Sequence, residues 1–255
     1  MFRLRSTAVA AIAAFVLVPG VAIAQQPVSR LKGRVVNDRG ERVKDAEVRA
    51  EAFFGSAAGT FAGQRTFSAT TNAKGEWNIL GILPGIWLFE VVAPGYMPES
   101  VALPIRLLTP SGPNAGGQLL IWDLVLKPLA APAADAVWQP VVDAAESART
   151  GKFEDARMLL GRVPEQANAD YLAAAGRVAL LARDTGMART YFARALERDP
   201  ASYRAALGVA STVLLQRDFD LASRAFDAAR SRTRDKDEQR FISFAIGDLA
   251  TIKVR

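Results

Sequence analysis

Two kinds of hydrophobic spacing divide the chain. From about residue 28 to about residue 128, apolar and polar residues alternate in short runs, the period of half-buried strands. Leu31, Val35, Val43, Val48, Ala50 and Ala52 read as inward positions, followed by Trp77, Ile79 and Ile82. Trp87, Phe89 and Val91 then alternate with Leu88 and Glu90, and Leu119, Ile121, Leu124 and Leu126 form a last long strand. Turn residues punctuate these runs at Asn37-Asp38-Arg39-Gly40, Asn72-Ala73-Lys74-Gly75, Pro84-Gly85 and Pro94-Gly95. An Asp in such a turn bonds its own backbone, and a glycine supplies positive φ. Short strands without a helical run predict an antiparallel seven-stranded β-sandwich.

After about residue 136 the spacing becomes helical, in Ala-, Leu- and Arg-rich runs. Self-comparison finds a period: Ala188, Phe192 and Ala195 recur as Ala222, Phe226 and Ala229, each 34 residues on. A weaker copy starts at Gly151-Lys152-Phe153-Glu154-Asp155-Ala156, with Leu160 and Val163 at later offsets. Small alanines let paired helices approach, and a phenylalanine fills the gap between pairs. Pro164 and Asp199-Pro200 read as stops, and Asn168, Ser202, Asp218 and Asp235 as N-caps. A closing helix is expected near 236–253, with Phe241, Ile242, Phe244, Ala245, Leu249 and Ile252 as its buried stripe. The fold class is therefore multidomain, a β-sandwich followed by an α-helical solenoid.

The remaining stretches read as joints and an address. Leu108 to Gly117 is a Pro/Gly-rich loop before the last strand, and 129–136 is a Pro/Ala linker that ends on Asp135 as an N-cap. Residues 1–24 carry Arg3 and Arg5, an apolar run from Ala8 to Val18, the breaker Pro19-Gly20 and the small-x-small end Ala22-Ile23-Ala24. That is the three-zone pattern of a signal peptide, and its apolar run is short of the about 20 residues a membrane span needs. Cleavage after Ala24 predicts a periplasmic or secreted product without an integral span. The expected division is 1–24 signal peptide, 25–128 sandwich, 129–136 linker and 137–255 helical repeat.

Two resemblances follow from these residues. Gly33-Arg34-Val35-Val36-Asn37-Asp38, Asp45-Ala46-Glu47-Val48, Thr71 with Lys74-Gly75-Glu76-Trp77-Asn78-Ile79, Leu83-Pro84-Gly85-Ile86-Trp87-Leu88 and Ala93-Pro94-Gly95-Tyr96 stand in order. Over residues 29–107 the chain resembles the carboxypeptidase regulatory-like domain, a transthyretin-like sandwich. The resemblance implies seven strands, a supporting or binding role, and no catalytic residue to carry over. Gly176, Ala188, Phe192, Ala195 and Pro200 resemble the tetratricopeptide repeat. Leu172 and Ala206 replace its usual first-helix aromatic, and Ala179 and Val213 its usual tyrosine. The resemblance implies a concave groove made by the first helix of each pair.

Composition narrows the chemistry. The 255 residues include no histidine and no cysteine. Disulfides, the usual zinc sites, a Ser-His-Asp triad and a Cys-His dyad are thereby impossible. There is no Gly-rich phosphate loop and no GxSxG motif. The carboxylates Asp143/Glu146 and Glu154/Asp155 read as helix surface rather than as a glycosidase pair, which needs two acids opposed across a cleft. We expect no catalytic residue, no cofactor and no metal site. The net charge of +6 falls to +4 without Arg3 and Arg5, spread evenly over the two units, which argues against nucleic acid as a partner.

What remains is binding. The groove positions implied by the repeat are Trp138, Arg149, Asp170, Arg177, Arg204 and Ser211, and its three arginines could read a carboxylate or an acidic peptide. Ordinary arginines with local ion pairs are the plainer alternative. Phe54 and Phe61 flank a Gly/Ala-rich hairpin extension that could contact a partner or the other unit. The leading function is a non-catalytic adaptor with a protein partner in the cell envelope. The alternative is a polysaccharide or cell-wall binding module using sandwich aromatics, with an unrecognised enzyme as the outsider. Oligomeric state is not legible.

Overall fold

The computed structural model describes residues 29–54, 66–105, 119–128 and 132–253 of the chain. Seven strands come first: β1 (Ser29–Asn37), β2 (Glu47–Phe54), β3 (Thr66–Thr70), β4 (Glu76–Ile82), β5 (Gly85–Val92), β6 (Glu99–Ile105) and β7 (Leu119–Leu126). Seven helices follow: α1 (Pro132–Arg149), α2 (Phe153–Leu160), α3 (Ala169–Leu181), α4 (Thr185–Arg198), α5 (Tyr203–Leu215), α6 (Phe219–Arg230) and α7 (Lys236–Lys253). The expected signal peptide, the expected loop at 108–117 and Phe61 lie outside the described residues, as does the side chain of Phe54.

The strands form a three-stranded sheet in the order β4-β1-β7 and a four-stranded sheet in the order β3-β2-β5-β6. One expectation is corrected: β1 and β7 run parallel, Arg30 opposite Leu119 through Asn37 opposite Leu126. The other pairs are antiparallel. A hairpin imposes antiparallel pairing, whereas β7 is reached by a long connection from the other sheet and can enter beside β1 in either sense.

The turns owe their shape to asparagine. Asn37 Oδ1 accepts from the backbone N–H of Arg39 and Glu41, and Asn72 Oδ1 from Lys74 and Glu76. The side chain that bonds the backbone is thus Asn37, not Asp38. Gly75 must be glycine: at φ 69° a Cβ would stand 2.7 Å from the carbonyl oxygen of Val35. Thr71 ties the loops together, donating to Val43 O and accepting from Ala46 N.

The 34-residue period is visible in the helices. Asn168 and Ser202 cap α3 and α5, accepting from Tyr171 N and Ala205 N. Asp184 and Asp218 cap α4 and α6, and each is preceded by a residue of positive φ, Arg183 at 61° and Arg217 at 65°. Arg198 donates to Glu165 O and Arg232 to Pro200 O, each clamping the loop that precedes its own pair. Asp235 accepts from Asp237 N and Glu238 N at the head of α7. Asp135, in contrast, lies inside α1, which begins at Pro132 and takes up residues 132–136 of the expected linker. Helix α2 ends at Leu160, before Pro164, and Phe244 is exposed rather than part of the buried stripe.

Packing between pairs turns on Phe192, whose ring lies against two glycines. A Cβ on Gly208 would come within 2.2 Å of that ring and one on Gly176 within 2.8 Å. We therefore expect Gly208→Ala to destabilise the protein although alanine is the better helix former by about 1 kcal/mol. Overpacking of this kind costs about 1–3 kcal/mol. Urea unfolding followed by circular dichroism measures the sign, and a raised midpoint would show that the ring moves aside freely.

Candidate functional site: the face where helices meet strands

Strand β5 shows why the units cannot stand apart. All its residues but Val92 are buried, so both of its faces are covered. Register puts Trp87, Phe89 and Val91 on one face with Ala50, Val48 and Leu103. Phe67 joins that face, its ring centroid 5.7 Å from that of Trp87. The opposite face carries Leu88 and Glu90, with Glu47, Arg49 and Glu51 from β2 and Ser100 and Ala102 from β6. That second face is covered by the helical unit, with α3, α5 and α7 all packing on β6.

The predicted groove residues lie at this contact, where they bind the chain itself. Glu99, at the start of β6, receives two guanidinium groups: Arg177 Nε at 3.2 Å on Oε1 and Arg204 Nη1 at 2.8 Å on Oε2. Arg204 also donates to the carbonyl of Val125 on β7. The next residue, Ser100, donates to the carbonyl of Arg177 at 2.9 Å. Ala102 N–H, pointing away from β5, is accepted by Ser211 Oγ at 3.1 Å. Pro104, two residues on, has no N–H to offer. The free edge of β6 is thus closed by a serine and a proline.

Arg149 at the end of α1 donates to Glu47 at 2.6 Å and to Glu146 at 3.1 Å, and its Nε lies 3.5 Å from Glu90 Oε1. Asp170 pairs with Lys127, and Arg183 pairs with Glu51 while lying 5.2 Å over the ring of Phe53. Trp138 packs on Tyr171, ring centroids 4.5 Å apart. All six predicted helical residues therefore face the strands or pack beside that contact. They are brought together as a cradle for the strand unit.

Burial sets the electrostatics. Arg177 is 4% exposed, and burial pulls its pKa below the ordinary value while the Glu99 charge pushes back. Its contact with Glu99 is an ion pair without hydrogen-bond alignment, and its Nη1 finds no partner among the described residues. Burial pushes the Glu90 carboxyl up to about 7 against the opposing pull of Arg149. Burial also raises the Tyr203 phenol, reinforced by the charges of Glu238 and Glu99. Glu238 itself is raised by burial, with a hydrogen bond from Thr233 pulling the other way.

Sequence reading missed the strand half of this contact: Glu47, Glu51, Glu90, Glu99 and Lys127, with Arg183 on the helical side. The signal was present in Gly85–Val92, where Glu90 interrupts an otherwise apolar strand. An unbroken apolar strand is covered on both faces, and a lone carboxylate within it needs a cation from the covering layer.

Among the described residues, no group of three or more acids is arranged to hold a metal ion, and no helix is long and apolar enough to cross a membrane. No family model and no curated protein matches the chain. Solved structures match in part. Chlorocatechol 1,2-dioxygenase from Pseudomonas putida matches at 15% identity and TM-score 0.31, over 39% of this chain and 60% of its own. Catechol 1,2-dioxygenase from Acinetobacter sp. ADP1 matches at 14% identity and TM-score 0.34, over 43% and 55%. The Pseudomonas arvilla C-1 enzyme matches at 13% identity and TM-score 0.34, over 45% and 56%. The chain spans less than two thirds of these enzymes, and likenesses at this level carry no argument about activity.

The contacts differ in worth. Glu99→Gln should cost about 3–5 kcal/mol, because it leaves two largely buried guanidinium groups facing a neutral amide. Lys127→Met, at the half-exposed pair with Asp170, should change stability by about 0–1 kcal/mol. Chemical denaturation of both variants tests the ranking, and equal effects would place the Glu99 cluster in water.

Proposed function

We propose that the protein is an exported, non-catalytic adaptor that mediates protein–protein interaction in the cell envelope. In this reading a carboxypeptidase regulatory-like sandwich is held by a tetratricopeptide-like helical solenoid. The observation that carries it is the clasp of Glu99 by Arg177 and Arg204. The arginines that could read a partner's carboxylate already read one from the same chain. The two units then meet through a face keyed by charge and present a composite outer surface, as suits a protein that positions one partner against another. The recurrence of caps and of positive φ at 34-residue intervals supports a solenoid built from helical pairs. The residues of 1–24 support export to the periplasm or beyond, where a chain without cysteine depends on packing alone.

Two measurements test this reading. The mass of the protein recovered from the envelope fraction should correspond to a chain starting at Gln25, and an intact Met1 would end the export claim. The full mature chain, immobilised and exposed to envelope extract, should retain one defined protein at low stoichiometric excess. Retention on peptidoglycan or polysaccharide instead would favour a glycan-binding module. Turnover of a substrate, lost on replacing one carboxylate or lysine, would overturn the non-catalytic reading.

A further inference from the structure

The joint between α1 and the four-stranded sheet contains a charge imbalance. One guanidinium, Arg149, faces three carboxylates. Its Nη2 donates to Glu47 and its Nη1 to Glu146, whose side chains keep 43% and 65% of their exposure. Glu90 takes the poorest share: its side chain is 7% exposed, and Oε1 stands 3.5 Å from Nε without a hydrogen bond. The other charges facing this spot come from β2: Arg49, directly opposite Glu90 in the register, adds a second positive charge but pairs with Glu51, which Arg183 from the α3–α4 turn also holds. On β6, the register neighbour of Glu90 is Ser100, whose hydroxyl is committed to Arg177 O. An ionised Glu90 is therefore dry and under-compensated, while a neutral Glu90 costs little to keep buried.

We propose that Glu90 is a proton-controlled latch between the four-stranded sheet and α1: with its carboxyl neutral the joint stays shut, and loss of the proton loosens it. When the joint opens, Glu90 regains water and an ordinary carboxylate affinity for protons. Closing thus takes up a proton, and opening releases it. The group's pKa is raised in the closed state, to about 7 from 4.5. Both states hold the proton below the lower value, so closure is strongest in acid. Between the two values the open state alone is ionised, so closure weakens as pH rises. Above the upper value both states are ionised, and the loss is complete. The latch stands on the joint itself and holds whatever partner the protein binds.

Hydrogen exchange of the full mature chain between pH 5 and pH 8, normalised for intrinsic amide rates, tests it. Amides in β5 and at the end of α1 should open up to roughly tenfold more often per pH unit up to about pH 7 and then level off. Glu90→Gln is isosteric, neutral and unable to titrate, so this rise should vanish and acid-like protection should persist at pH 8. Glu238→Gln, at the other end of the helical unit, should keep the rise in β5. Flat protection in the unmodified protein, or the same rise in Glu90→Gln, would overturn the latch. Should Glu90→Gln fold poorly, carbon-detected NMR of the native carboxyl decides. A midpoint near neutrality, moving with the exchange of β5 and α1, supports the proposal, and a midpoint in the ordinary carboxylate range refutes it.

Discussion

A sheet strand without a wet face constrains this molecule more than any other feature. Strand β5 puts Trp87 and Phe89 into the core between the strands and Leu88 and Glu90 on the opposite side, and all four are buried. Exposing that second face would return apolar surface to water at about 25 cal/mol per Å2 and leave β6 with an open edge. The helices remove both penalties at once. They cover the face, and Ser211 satisfies the outward N–H of Ala102. The strand unit and the helical unit are in this sense incomplete halves of one core, despite the change of secondary structure between them.

The apolar contact does not fix which way the halves meet, and the charges do. Carboxylates on the strands meet guanidinium groups of the helical unit at Glu47, Glu51, Glu90 and Glu99, and among the described residues Lys127 with Asp170 reverses the sign. A planar guanidinium serves two acceptors while staying ionised in a dry site, which a lysine does less well. Arg204 does this by joining Glu99 to the carbonyl of Val125, so a single side chain touches β6 and β7. Buried pairs add little net stability against a well-packed apolar alternative. Their service here is orientation, because a shift of one residue along β6 would strand Glu99, Ser100 and Ala102 together.

Much of this architecture was legible in the chain. Alternation found the runs that form β1, β2, β4, β5 and β7, though it singled out no residue of β3 or β6, and the 34-residue recurrence of alanine and phenylalanine found the helical pairs, because both signals are local and periodic. Caps at Asn168, Ser202, Asp218 and Asp235 were legible for the same reason. The start of helix α1 was not, since Pro and Ala in 129–136 suit a linker and a first helical turn equally well. The parallel sense of β7 was hidden because nothing within a strand records the direction of a neighbour that is distant in sequence. The site was half legible: the repeat resemblance implied one face for Arg149, Arg177 and Arg204, but their acceptors lie between 59 and 105 residues away in strands. No local rule connects the two, apart from the anomaly of a single glutamate in an apolar strand.

That anomaly also explains why the contact is graded rather than uniformly tight. Glu99 is answered by two arginines at its carboxylate oxygens, and Glu90 by a share of Arg149 and by Arg49 across the sheet, with no hydrogen bond to its buried Oε1. A contact clamped at one end and under-compensated at the other opens first where the compensation fails, since local opening follows the weakest contacts. The end that fails is at Arg149, in the last turn of α1, the end of that helix away from the crossing out of β7. Opening there shifts α1 relative to β2 and β5 while the Glu99 clasp keeps β6 seated on α3 and α5. The fold thus places this titratable weak point where yielding alters the joint without dismantling the shared core.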